Sequence, residues 1–247
     1  MCPMGPSIPP RPKQATARDV WRMFDRIAPR YDLLNRLLSM RRDVAWRRRV
    51  SRSMPQRRPL RILDLATGTA DVLLDAAQRR DVALGVGLDP SPGMLELARA
   101  KLERIDTTDD APRLTLVRGD ATALGFRDAS FDVVTIAFGI RNVADPLRGL
   151  REMHRVLRPG GRALTLEFSL PRNPAFRALY LAYFRHILPR LGGLISGDAP
   201  AYRYLNETVE GFPYGAAFCE LMTRAGFTEV SATPLTFGIA TLYQGDR

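Results

Sequence analysis

The sequence predicts an α/β protein: a doubly wound, mostly parallel sheet of seven strands with one antiparallel edge strand. Three observations carry that prediction. From Arg61 onward, short apolar runs alternate with amphipathic helical patterns, the spacing of a parallel sheet covered by helices on both faces. The run FDVVTIAF (131–138) is continuous enough in apolar residues to be a central strand. The stretch DLATGTAD (64–71) passes directly from a strand pattern to a helical one. Such turns hold nucleotide-like ligands, because the first amides of a helix lack partners within it.

The elements follow in order. Residues 1–16 form a Pro-rich stretch that predicts a disordered tail. Residues 17–58 predict basic amphipathic helices able to cover a site or lie on a membrane. Trp21, Phe24, Ile27 or Ala28, Tyr31, Leu34 and Leu38 step by three or four, with Arg22, Arg26, Arg30 and Arg36 on other faces. Pro29 is expected to divide this stretch, and a second short helix follows through Val44, Trp46 and Val50. Residues 59–247 predict the domain itself. Strands are expected at 61–66, 82–88, 114–117, 131–138 and 162–168. Between them lie helices at 71–80, at 92–104 with Ser91 as cap, and at 145–157, the last stopping at RPGG (158–161). An aromatic, Gly/Pro-punctuated insertion over about 170–215 predicts a lid or substrate wall. A helix at 216–225 and a hairpin-like pair of strands at 227–232 and 236–243 complete the sheet.

Composition narrows the functional classes. The 247 residues are 45% hydrophobic and 26% charged, ordinary for a globular protein. The two cysteines, Cys2 and Cys219, are too far apart in sequence to suggest a disulfide framework or a zinc site, which fits a reducing compartment. With neither a secretory h-region nor an apolar run of membrane-spanning length, the expected location is the cytoplasm. The net charge of +11 is uneven: residues 1–61 hold 15 Arg and one Lys against four Asp, while the remainder is close to neutral. Such a front end suits nucleic acid, an anionic membrane face, or plain solvation.

The polar groups at strand ends indicate the ligand. A dinucleotide turn would carry G-x-G-x-x-G, whereas this one has Ala66, Gly68 and Asp71 at the glycine places and is flanked by the carboxylates of Asp64 and Asp71. It is suited to a neutral or cationic ligand, not a phosphate. Asp89, at the tip of the second strand, can accept both hydroxyls of a ribose. Asp120 can accept from an exocyclic amine and leave the amide of Ala121 for a ring nitrogen. A nucleoside carrying a positive group in place of phosphates is S-adenosylmethionine. Methyl transfer from it needs chiefly positioning and exclusion of water, with no metal and no catalytic thiol. Arg141 and Asn142, just past the fourth strand, stand where an acceptor would approach, and an arginine there can stabilise an oxyanion. His186, within the insertion, is a candidate base, whereas His154 reads as a surface or capping residue.

These residues resemble a known family. FDRIAPRYDLLNRLLS (24–39), DLATGTAD (64–71), GD (119–120), FGIRN (138–142), RVLRPGG (155–161), LEFS (166–169), YRYL (202–205) and LTFGIA (235–240) together are similar to the ubiquinone/menaquinone C-methyltransferases. The resemblance runs from about Phe24 to Gly245. It implies a class I, Rossmann-like methyltransferase fold and methyl transfer from S-adenosylmethionine to a ring carbon of a polyprenylated quinol, demethylmenaquinol to menaquinol. Cofactor contacts are implied at Thr69, Asp89, Asp120 and Ala121, with Asp64, Gly68 and Ala137 nearby. Tyr202 or Tyr204 joins His186 as a candidate proton acceptor. The pattern departs from the family at Ala70 and Arg41, where relatives often carry Gly, and at Ala137, often Ser. The methyl of Ala70 is expected to narrow the approach of the methionine part. Because a polyprenyl quinol stays in the bilayer, the resemblance also implies a cytoplasmic protein attached peripherally to the inner face of the cell membrane through residues 17–50. Methylation of another small molecule or of RNA, or an Arg-rich nucleic-acid-binding module, are the competing readings. The lack of an Asn-Pro-Pro-aromatic tetrad after the fourth strand disfavours nucleic-acid bases, so no nucleic-acid partner is expected. The oligomeric state is open.

Overall fold

A computed structural model of the chain describes residues 17–39, 41–56, 59–104, 111–187, 190 and 199–247. The tail at 1–16, with Cys2, and part of the lid lie outside the described residues. Two helices, α1 (Ala17–Leu38) and α2 (Arg42–Ser53), precede the sheet. The first half of the domain is β1 (Leu60–Leu65), α3 (Asp71–Ala77), β2 (Val82–Asp89), α4 (Pro92–Leu102) and β3 (Arg113–Arg118). The second begins with β4 (Phe131–Ala137), α5 (Pro146–Val156) and β5 (Leu157–Phe168). After α6 (Pro174–Ala182), α7 (Ala199–Gly211) and α8 (Ala216–Arg224), it closes with β6 (Thr228–Leu235) and β7 (Ala240–Asp246).

The strands form one sheet in the order β3-β2-β1-β4-β5-β7-β6. Neighbours from β3 to β5 are parallel, and β7 runs antiparallel to both β5 and β6. The chain therefore winds outward from β1 to β3 and returns to place β4 against β1. This is the switch point, outside whose carboxyl ends a ligand is expected.

Strand side chains alternate between two cores. Leu63 and Leu65 of β1, with Val134 and Ile136 of β4, face Leu150 and Met153 of α5 and Phe218 and Met222 of α8. Leu60, Ile62 and Val133 face the opposite way, toward Trp46 and Val50 of α2 and Val72 of α3. Three helices start on the same device, a proline in the first turn after a side-chain cap. Ser91 accepts from the Met94 amide at 3.1 Å, Asp145 from Arg148 at 3.0 Å and Asn173 from Phe176 at 3.0 Å. His154 packs edge-on against Phe227 at 5.2 Å, in keeping with a structural role.

Three boundaries differ from expectation. Pro29 does not divide α1, which is helical from Ala17 to Leu38. Proline removes one amide donor, but side chains on both sides of it fasten the helix to the domain: Asp25 accepts from the Gly93 amide at 3.0 Å, and Asp32 accepts from Thr69 Oγ1 at 2.7 Å. The RPGG segment lies within β5, as an interruption of register between the pairs Phe131–Leu157 and Val133–Arg162. Thr236–Gly238 is a 3-10 turn, and the last strand starts only at Ala240. Arg41 and Ala70, the two positions at which the resemblance suggests Gly, have φ of +61° and +65°. The backbone there adopts the left-handed conformation that glycine tolerates best.

Candidate active site

The turn after β1 is built from alternating left-handed residues: Ala66, Gly68 and Ala70 have φ of +47°, +56° and +65°. Asp64 holds it from beneath. Buried at the end of β1, it accepts from Thr67 Oγ1 at 2.6 Å and from Thr135 Oγ1, its register partner on β4, at 2.5 Å. Burial pushes its carboxyl up to about 6, against the pull of the two hydroxyls.

Across the turn, Asp89 closes β2. Its Oδ2 accepts from the Gly68 amide and its Oδ1 from the Ser91 amide, both at 2.9 Å. Each oxygen has two acceptor positions, so one on each remains for a further donor. Burial pushes this carboxyl up to about 6 as well; the two amides pull it down and the neighbouring Asp25 adds to the rise. Asp89 is one wall of a cavity of about 520 Å³ at the switch point, which Gly68, Asp120, Ala121, Ala137 and Asn142 also line. One oxygen of Asp120 accepts from the amide and hydroxyl of Thr122, at 2.7 and 2.9 Å.

The floor is a close contact between two loops. A Cβ added to Gly139 would lie 2.5 Å from Ala66 Cβ, inside any permitted separation. Gly139→Ala should therefore push the β1 and β4 turns apart, with a loss of about 1–3 kcal/mol in urea unfolding, and should weaken ligand binding at the cavity.

The roof is α1, which contributes Trp21 and Phe24 to the cavity. Two latches hold it. Asp25 accepts from the Gly93 amide and from Ser91 Oγ, at the start of α4. Asp32 meets Lys101 Nζ at 2.5 Å, and the same ammonium meets Asp71 at 2.5 Å and Thr69 Oγ1 at 2.9 Å. The first latch ties the roof directly to the residue beside Asp89.

The structure thus gathers Gly68, Asp89, Asp120, Ala121, Ala137 and Asn142 around one cavity. It does not bring Asp64, Thr69, Arg141 or His186 to the cavity lining. Asp64 serves the turn from below, and the Thr69 hydroxyl is taken up between Asp32 and Lys101. The methyl of Ala70, fully buried, packs with Leu73 and Ala98 and does not narrow the cavity, contrary to the expectation from sequence. His186 is exposed on the π turn Tyr183–Ile187 that follows α6, which removes the shielding a catalytic base would need. The side chain of Tyr202 lies outside the described residues. The hydroxyl of Tyr204 donates to Asn142 Oδ1 at 3.2 Å, so of the candidate proton acceptors it is the one tied to the cavity.

Arg141 sits behind Asn142. Its Nη1 donates to Glu167 Oε1 at 2.8 Å and to the Phe138 carbonyl at 2.6 Å. The two side chains of this ion pair are 7% and 2% exposed. The guanidinium lies 5.4 Å from the centre of the Phe168 ring, and its buried Nε meets no partner among the described residues. Sequence reasoning missed Glu167 and the latch acids, and named Trp21 and Phe24 only within the apolar stripe of a helix able to cover a site. A signal for the latches was present: Asp25 and Asp32 are two of only four acids among the first 61 residues, spaced seven apart on one helical face.

A carboxylate with one acceptor position left on each oxygen, beside a single-glycine turn, fits the nucleoside of S-adenosylmethionine. Strands in this order, with such a cavity at their switch point, define a class I S-adenosylmethionine-dependent methyltransferase. The fold is similar to that of a methyltransferase of this kind from Thermotoga maritima, at a TM-score of 0.62 and 20% identity, over 92% of this chain and 98% of that one. The chain belongs to the ubiE/COQ5 methyltransferase family, whose model matches residues 12–247. It is 50% identical to the demethylmenaquinone methyltransferase of Thermus thermophilus, over 91% of this chain and all of that protein. It is also 46% identical to the ubiquinone/menaquinone biosynthesis C-methyltransferase UbiE of Geotalea uraniireducens, over 91% of this chain and 94% of that protein.

Proposed function

We propose that this chain methylates a ring carbon of a polyprenylated quinol, converting demethylmenaquinol to menaquinol. The single observation that carries the reading is the Asp89 cavity, lined by Asn142, with the buried Arg141–Glu167 ion pair directly behind that residue. When bound, S-adenosylmethionine supplies an electrophilic methyl group on sulfur. Asp89 holds the ribose hydroxyls, Asp120 and the Ala121 amide hold the adenine edge, and Ala66 to Gly68 line the approach to the methionine part. Thr69 contributes by holding the roof closed, not by touching the cofactor.

On the acceptor side, a quinol hydroxyl must lose its proton for the neighbouring ring carbon to become nucleophilic. Arg141, directly behind Asn142, is the cation we assign to stabilising the resulting oxyanion through its charge, with Glu167 fixing the guanidinium and Phe168 lying against it. Asn142 and Tyr204 position the hydroxyl, and Tyr204 is the favoured route for its proton. Arg141→Lys keeps the charge and loses the planar fork; turnover should fall at least ~100-fold, the size of effect seen on removing one oxyanion donor, with cofactor affinity unchanged. Unchanged turnover would remove Arg141 from this role.

The protein acts at the cytoplasmic face of the cell membrane, where the quinol headgroup is accessible. Exposed Arg22, Arg26 and Arg36 of α1 support attraction to anionic lipid. Among the described residues, no helix is long and apolar enough to cross a membrane. Extraction of quinones from cells lacking the protein tests the acceptor: demethylmenaquinone should accumulate, and an unchanged quinone pool would refute the assignment.

A further inference from the structure

One part of the described surface carries large apolar side chains that the cores do not absorb. Phe237 is 83% exposed, Leu179 67% and Ile187 47%. Phe176 joins them, its ring edge-on to Phe237 at 5.6 Å. Phe176 and Leu179 are one turn apart on α6, and the π turn carrying Ile187 continues that helix. Phe237 stands on the 3-10 turn before β7 with φ of +57°. A left-handed backbone that holds an aromatic ring out into water is unfavourable twice over for a protein surrounded by water alone.

The charges that the segment itself carries have one sign. Residues 170–190 contain four Arg and one His and no Asp or Glu. Arg185 is engaged by Glu210, while Arg172, Arg177 and Arg190 are exposed. On its other side, Thr236 accepts from Trp46 Nε1 at 2.8 Å, which ties α2 to the Phe237 turn. Arg42 and Arg49, one turn to either side of Trp46, are exposed as well. Apolar tips ringed by arginines match the boundary between the headgroups and acyl chains of an anionic bilayer.

We propose that this face, formed by α6, its π turn, the Phe237 turn and the basic edge of α2, is where the protein docks on an anionic lipid bilayer. Phe237 and Leu179 enter the acyl boundary, and the arginines meet lipid phosphates. The proposal rests on the quinol reading and relocates the apolar contact from α1, which is latched to the domain by Asp25 and Asp32. It also brings the membrane to the acceptor side of the cavity. Tyr180 and Phe184 form one small core with Val209 of α7, and α7 carries the Tyr204 that bonds Asn142.

The test is co-sedimentation of the full chain with phosphatidylcholine vesicles, with and without about one-third phosphatidylglycerol. Wild type should bind the anionic vesicles. Phe237→Ser/Leu179→Ser should bind them at least ~10-fold more weakly, with an unchanged melting temperature and unchanged turnover of a short-chain, water-soluble quinol analogue. Arg172→Glu/Arg177→Glu should lose the preference for anionic over neutral vesicles. Failure of wild type to bind, or undiminished binding by the apolar double variant, would overturn the proposal. So would a change from dimer to monomer in that variant with vesicle binding intact, which would make the face a contact between two copies. If vesicle binding behaves as expected but wild type does not turn over the soluble analogue, the quinol reading fails and the docking face stands.

Discussion

Asp89→Asn should weaken S-adenosylmethionine binding by about 100- to 1,000-fold, because two charge-assisted hydrogen bonds to the ribose become at best one neutral one. The carboxylate is suited to the task because its two amide partners fix its plane while leaving one acceptor position on each oxygen. Its carboxyl is pushed up to about 6, so affinity should be level above that pH and fall about tenfold per unit below it. Calorimetry between pH 5 and pH 8 reads both effects, and the Asn variant should show neither the affinity nor the acid limb. An Asp89→Asn variant that binds as tightly as wild type would remove the ribose from this position.

The same shift has the opposite sense for the ligand-free fold. The folded state binds the protons of Asp64 and Asp89 more tightly than the unfolded chain does, since both carboxyls are raised from 3.8 to about 6. Their contribution to stability is therefore greatest in acid and declines as pH rises through that interval. Because the cofactor requires ionised Asp89, the rise in melting temperature on adding it should be larger at pH 7 than at pH 5.

Glu167→Gln should cost about 3–5 kcal/mol of stability, the usual penalty for leaving one partner of a buried ion pair uncompensated. Here the stranded group is the Arg141 guanidinium, whose side chain is 7% exposed. The double variant Arg141→Met/Glu167→Leu should recover most of the loss in urea unfolding, because an apolar pair of similar volume leaves no buried charge. It should nonetheless be inactive. That combination, a restored fold without turnover, separates a pair kept for chemistry from one kept for stability. A double variant that stays as unstable as Glu167→Gln would show that the packing around Phe138 and Phe168, not the charge, sets the cost.

The parallel core was legible because its signals are local. Capped and proline-started helices, continuous apolar strands and acids at strand ends each act within a few residues, and α4, α5 and β4 lie where those signals place them. Asp89, Asp120 and Asn142 reached one cavity for the same reason, since strand ends converge at a switch point whatever the intervening loops do. What was not legible depends on contacts distant in sequence. The continuity of α1 through Pro29 comes from Asp25 and Asp32 reaching partners more than thirty residues away. Thr69 reads as a ligand contact until Asp32 and Lys101 claim its hydroxyl. Arg141 reads as an oxyanion-stabilising cation where the acceptor approaches, and its pairing with Glu167 on the neighbouring strand is a contact that local sequence does not show. Ala70 reads as an obstruction because its position in the motif says nothing of the direction of its Cβ, which the left-handed turn sends into the core.

The most direct measurement follows the methyl group itself. The full chain, anionic vesicles loaded with demethylmenaquinol, and S-adenosylmethionine carrying a trideuterated methyl are incubated, and the extracted quinone is fragmented in a mass spectrometer. The account predicts that the heavy methyl appears on a ring carbon, and that its rate of appearance falls at least ~100-fold in Asp89→Asn at low cofactor concentration and in Arg141→Lys at any. Label on a quinol oxygen, or none on the quinone while calorimetry shows the cofactor bound, would contradict it.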